Sequence, residues 1–158
     1  MRSITLIRIP ALRLAFFVVS VMGLLAVASL ATAQVPIAAP PHACDALAAN
    51  TLDPDRVGPG VETRSIDVRR ALPACKAAVD LFPSELRFQF QLGRVYRRAG
   101  RYDEALVWYR AAAEAGYAGA QNSLGVMYSR GEGMAEDCDL AAYWIGLAAA
   151  QGLSLIHI

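Results

Sequence analysis

Histidine, lysine and net charge are all scarce in this sequence, and each shortage narrows the chemistry open to it. The two histidines are His42, in a proline-rich stretch, and His157, in the last residues. No cysteine or histidine falls at the spacing of a zinc site. A Cys/His nucleophile pair would need Cys138 or a cysteine assigned below to a bridge. The single lysine is Lys76, so Gly131-Glu132-Gly133 lacks both the lysine and the strand context of a phosphate loop and reads as a turn. A formal charge of +1 gives no argument for a nucleic-acid partner. The acids Glu136, Asp137 and Asp139 leave two readings open, a cation site or the acidic start of a helix favoured by its dipole. No cofactor, metal or small-molecule substrate is implied, and the chain reads as non-enzymatic.

What the sequence does have in quantity is apolar residues, 56% of the total, and the N-terminus inflates that share. Arg2, Arg8 and Arg13 precede an uncharged, largely apolar run from Leu14 to Ala31, and Ala31-Thr32-Ala33 presents small residues suited to a signal peptidase. Residues 1–33 therefore read as a cleaved export signal, with an uncleaved membrane anchor as the alternative, since the run is about as long as the shortest bilayer spans. Cleavage removes three arginines and no acid, leaving twelve basic against fourteen acidic groups and a charge of −2. Localisation is then periplasmic or secreted, and contact with a membrane follows only if the signal stays.

Export places the cysteines in an oxidising compartment, where pairs tend to bridge. Cys44 and Cys75 each lie on a short alanine-rich stretch of helical character, "ACDALAAN" and "ALPACKAAV", and are expected to bond to each other. Closing that loop would contribute about 3–4 kcal/mol on the chain-entropy account. Cys138 is left over. Its expected place is a small buried side chain near the start of the last helix, with a reactive or intermolecular thiol as the other reading.

Residues 34–66 form a linker and N-terminal cap segment, turn-rich and marked by Gly58-Pro59-Gly60. From 67 onward the pattern is helical, with small or aromatic residues three and four apart over 67–81, 84–98, 101–115, 117–130 and 137–151. Gly100, Gly116, Gly131, Gly133 and Gly152 stand at the junctions. Pro73 inside the first of these helices is expected to kink it or delay its start. The helices repeat in pairs. "DEALVWYRAAAEAG" (103–116) and "DLAAYWIGLAAAQG" (139–152) match at Asp103/Asp139, Ala105/Ala141, Trp108/Trp144, Ala112/Ala148 and Ala113/Ala149, while "FQFQLGRVYRRAG" (88–100) and "AQNSLGVMYSRGEG" (120–133) share Leu92/Leu124, Gly93/Gly125 and Tyr96/Tyr128. A two-helix unit near 34 residues is the pattern of a solenoid, in which no unit hides its apolar face alone. Small residues let backbones approach, and Tyr96, Trp108, Tyr128 and Trp144 fill the space between layers.

On these residues, 67–152 resemble tetratricopeptide repeats, and 117–152 are similar to the Sel-one-like subclass in their leucine-glycine, tyrosine, glycine-loop, tryptophan and double-alanine pattern. The resemblance implies an all-α helical-hairpin solenoid. It also implies that the first helix of each pair lines a concave groove, which places Arg87, Phe90, Arg94, Arg97 and Arg98 in or beside it. Asn122, Val126, Ser129 and Arg130 are their less charged counterparts in the next unit. The five residues share a helical face by spacing alone. They could clamp a carboxylate or an acidic peptide, or form a solvated face paired with Glu85, Asp103 or Glu104. No clear partner helix precedes 67 at the family spacing, and the segment around Cys44 is the candidate for a degenerate one.

The closing residues "LSLIHI" break the pattern. Residues 153–158 resemble a translated sequencing adaptor, the other reading being a natural apolar cap. The resulting expectation is an exported, non-enzymatic scaffold that binds a protein or peptide partner. The alternative is the targeting module of a longer enzyme or cell-wall-active protein that continues past Gly152.

Overall fold

A computed structural model describes residues 39–153. The export signal read over 1–33, and all of the C-terminal tail except Leu153, lie outside the described residues. Within them the chain is all-helical, with six α-helices and no strand. They are α1 (Ala43–Ala48), α2 (Val68–Leu81), α3 (Leu86–Arg98), α4 (Tyr102–Glu114), α5 (Ala118–Arg130) and α6 (Cys138–Ala150). A short 3-10 turn, Thr63–Ser65, precedes α2. Each helix packs against the next in sequence, and α1 also lies on α3.

Local chemistry explains where the helices start and stop. His42 caps α1, its Nδ1 accepting from the Cys44 amide at 3.2 Å, while Asp45 reaches back to accept from the His42 amide at 2.8 Å. Asp67 and Asp137 cap α2 and α6, accepting from Arg69 at 3.1 Å and from Leu140 at 2.8 Å. Asp137 is thus engaged as a helix cap. Helices α3 to α6 all end on the same six-residue bond, Arg101 to Tyr96, Tyr117 to Ala112, Glu132 to Met127 and Leu153 to Ala148. Gly100 and Gly116 supply the positive φ that the bond needs. Pro73 neither delays nor ends α2, which begins at Val68 and runs to Leu81.

Alpha3 is the centre of the core. Its residues Phe88, Phe90, Leu92 and Val95 are fully covered, together with Tyr109 from α4 and Leu124 and Met127 from α5. Trp108, Tyr128 and Trp144 are half-buried against this core, whereas Tyr109 is the fully buried aromatic of α4. Close approach between paired helices rests on glycine. A methyl group on Gly93 would stand 2.6 Å from Tyr109 Cδ1, and one on Gly125 would stand 2.9 Å from the Ala141 carbonyl oxygen. The two glycines are equivalent in the sequence repeat, so the same contact is built twice.

The Cys44 and Cys75 sulfurs are 2.00 Å apart and both residues are wholly buried, which joins α1 to α2. Cys138 is not the small buried side chain expected from the sequence. It is exposed and free, because it opens α6 on a side where none of the described helices packs. A second tie holds the irregular segment between α1 and α2: the Tyr117 hydroxyl donates to buried Asp53, whose other oxygen accepts from the Asp55 amide at 3.1 Å. Burial pushes the Asp53 carboxyl above its ordinary value, although its hydrogen bonds oppose the shift.

Four outcomes follow. In the native protein without reductant, an alkylating reagent should label Cys138 alone; labelling of Cys44 and Cys75 would remove the bridge. Gly125→Ala and Gly93→Ala should each lower stability in urea melts by about 1–3 kcal/mol through overpacking. Gly146→Ala, where nothing lies within 4 Å of the added methyl, should instead gain up to about 1 kcal/mol from helix propensity. A carboxyl whose folded-state pKa is raised binds protons more tightly when folded. The Asp53 contribution is therefore fully present below its unfolded value near 3.8 and is lost as pH rises through the folded value. Asp53→Asn should flatten that slope in melts run across the acidic range while keeping an acceptor for Tyr117.

Candidate functional site

Helix spacing and the segment after α1 together build a cleft. Arg94 and Arg97 stand one turn apart on α3, and Asn122, Ser123, Val126 and Arg130 descend α5 over two turns. Tyr109 of α4 is the floor, and Asn50 to Leu52 with Glu62 and Thr63 form the opposite wall. The cavity holds about 430 Å³. A second recess of about 500 Å³ adjoins it, sharing Thr63, Arg97 and Arg130 and adding Arg64, Arg98, Tyr102 and Glu132.

The expected groove residues divide into two sets. Arg94 and Arg97 line the cleft, and Arg98 lines the second recess with Arg97. Arg87 and Phe90 reach neither. Arg87 is buried under the N-terminal segment, donating to Asp45 at 3.2 Å and to the carbonyls of Ala39 and Pro40 at 2.7 and 3.0 Å. It also approaches Glu85 at 3.4 Å. Phe90 is fully buried between Tyr109 and Tyr117, with ring centroids 5.9 and 5.3 Å away. The physical reason is that α1 and the chain up to the 3-10 turn lie along the side of α3 that a bare hairpin would leave open. In the next unit Asn122, Val126 and Arg130 line the cleft, while Ser129 turns its hydroxyl to the Val126 carbonyl at 2.9 Å.

The arginines differ in what holds them. Arg94, 2% exposed, donates to the carbonyls of Ala48 and Val61 at 2.6 Å each and to the Thr63 hydroxyl at 3.1 Å. Among the described residues no carboxylate forms an ion pair with it. Burial pushes its pKa down, and Tyr109 and Asp53 partly offset the shift. Burial lowers the Arg97 pKa too, but the Glu132 carboxylate together with Tyr109 and Tyr102 outweighs it and holds the value above the ordinary one. It grips Glu132 at two points, Nε to Oε2 at 2.6 Å and Nη2 to Oε1 at 3.0 Å. Arg130 meets the same carboxylate only at 3.8 Å and its side chain is 58% exposed. Burial pushes the Tyr109 hydroxyl up to about 12, against the two nearby arginines and a hydrogen bond with Ser123. Asn122 keeps a buried Oδ1 with no hydrogen-bond partner among the described residues.

Guanidinium, hydroxyl and amide donors therefore converge on a cleft whose lining holds neither histidine nor cysteine. That is an arrangement for holding an anionic oxygen ligand. Several of these residues escaped the sequence reading. Residues 50–52, 62 and 63 sit in a segment without periodicity, and Glu132 is an unremarked member of a glycine turn. Tyr109 had a signal, since Ala105, Tyr109, Ala112 and Ala113 form a buried stripe at helical spacing.

Among known proteins, a 62-residue stretch of the chain is 44% identical to an exopolysaccharide production negative regulator of Rhizobium meliloti (strain 1021). The alignment spans 39% of this chain and 23% of that protein, so the shared part is under a quarter of the relative's length. No family model matches the chain, and no solved structure matches it.

Proposed function

We propose that this protein is a non-enzymatic, exported scaffold that binds an acidic segment of a partner protein in the cleft between α3, α5 and the N-terminal segment. The observation that carries the reading is the convergence of Arg97 and Arg130, from two successive first helices, on one cavity. Paired helices α3/α4 and α5/α6, whose first helices close on the same six-residue bond and make like glycine contacts, support a helical-hairpin solenoid of the tetratricopeptide and Sel-one-like kind. Such an array exposes one side of successive first helices, and here the exposed part of that side is the cleft.

Export draws support from the wholly buried cysteine pair at disulfide distance and from the arginine-flanked apolar N-terminus. No described helix is long and apolar enough to cross a membrane. The likeness to the Rhizobium meliloti regulator favours a partner in the control of exopolysaccharide output. A second reading, the targeting module of a longer enzyme or cell-wall-active protein, is favoured by the small share of that relative which the chain covers.

A hexaglutamate peptide titrated against the full chain by calorimetry should bind at low ionic strength and weaken as salt shortens the Debye length. Arg130→Glu, a change at an exposed side chain, should weaken binding by at least about tenfold, near 1.4 kcal/mol, with the thermal melt unchanged. Equal affinity for the variant would remove the cleft from the binding account. Arg94 is unsuited to this test because its guanidinium holds the fold.

A further inference from the structure

Glu132 and Arg97 are 35 residues apart in sequence, yet the carboxylate fills the arginine fork in the two-point geometry by which guanidinium groups recognise carboxylates. The Glu132 side chain makes no other hydrogen bond among the described residues and approaches only Arg130 besides. It is carried on a turn between Gly131 and Gly133, both at positive φ, which leaves α5 and enters the stretch before α6. Arg97 faces both the cleft and the second recess, whereas Glu132 lines only the recess. The pair therefore stands where the two spaces meet. Arg94 is committed to the fold, 2% exposed and bonded to the carbonyls of Ala48 and Val61 and to Thr63.

We infer that the Arg97 fork is the carboxylate subsite of this cleft, and that Glu132 occupies it as a competitor within the same chain, displaced when an acidic peptide binds. The inference rests on the binding function proposed above and adds its regulation. Exchange of one carboxylate for another at the same fork conserves the ion pair, so displacement costs little electrostatically. A ligand's apparent affinity is reduced only by the fraction of molecules in which Glu132 holds Arg97. Net gain must then come from contacts Glu132 does not make. Arg130, 58% exposed and lining both the cleft and the recess, offers such contacts to a peptide long enough to span them, which a bare anion such as acetate is not.

The test compares hexaglutamate binding to the full-length protein, Glu132→Gln, Glu132→Asp and the double variant Arg97→Gln/Glu132→Gln, with circular-dichroism melts confirming that each is folded. Glu132→Gln is expected to bind the peptide about three- to tenfold more tightly than the parent. Glu132→Asp, whose shorter side chain spans the fork poorly, should show a smaller gain, and the double variant should lose it. Acetate should not compete. Equal or weaker binding by Glu132→Gln and Glu132→Asp, with Arg130→Glu still impaired, would overturn the inference and leave the binding function standing. Absence of binding by the parent and both Glu132 variants would overturn the two together.

Discussion

A buried guanidinium holds the N-terminal segment against the helical pairs. Arg94 lies on α3, and its three hydrogen bonds reach the last residue of α1, the carbonyl of Val61 just before the 3-10 turn, and the hydroxyl of that turn's first residue. The Ala48 carbonyl is one of the orphaned acceptors at the end of α1, so the arginine completes a helix terminus as it anchors a loop. Carrying a charge out of water is costly unless its donors are satisfied, and here three neutral oxygens satisfy them at short range. Arg87 repeats the device about two helix turns earlier, binding the Asp45 carboxylate and two carbonyls. With these ties in place, one wall of the cleft is set by backbone and not by a loose loop.

Burial on both sides also explains the distribution of charge in α3. An arginine inside the core is held by neighbouring oxygens of the N-terminal segment, while one at the edge is less covered. Arg87 and Arg94 are of the first kind, Arg97 and Arg98 of the second. Arg98 is exposed and donates only to the Arg64 carbonyl at 3.1 Å. Four arginines written along one helix thus divide into buried and more exposed pairs according to what covers them.

The small residues of the paired helices act at a different level. Gly93 against Tyr109 and Gly125 against Ile145 and Ala141 bring the helices of each pair close enough for aromatic rings to fill the remaining space. Outer helix α6 departs from its counterpart α4, which carries Asp103, Glu104, Arg110 and Glu114. In α6 Asp139 is the only charged side chain, and Leu140 and Tyr143 are exposed. The apolar outer surface of α6 is the least satisfied feature of the described fold.

The five helices after residue 67 were legible to within two residues at each end, because spacing of apolar residues, capping acids and closing glycines are local signals that each segment carries by itself. The pairing of Cys44 with Cys75 was legible for a similar reason, two cysteines on short helical stretches in one segment. The helical pairs could be read from identities at fixed offsets. What the sequence by itself could not determine was which side of α3 stays open. Residues 39–63 have no repeat to betray that they lie over Arg87 and Arg94, and the bonds that hold them there join positions 31 to 48 residues apart. The exposure of Cys138, the burial of Tyr109 beside a half-buried Trp108, and the seating of Glu132 on Arg97 were likewise decided only by tertiary packing. Each depends on which surface a neighbouring element covers, a quantity no local pattern encodes.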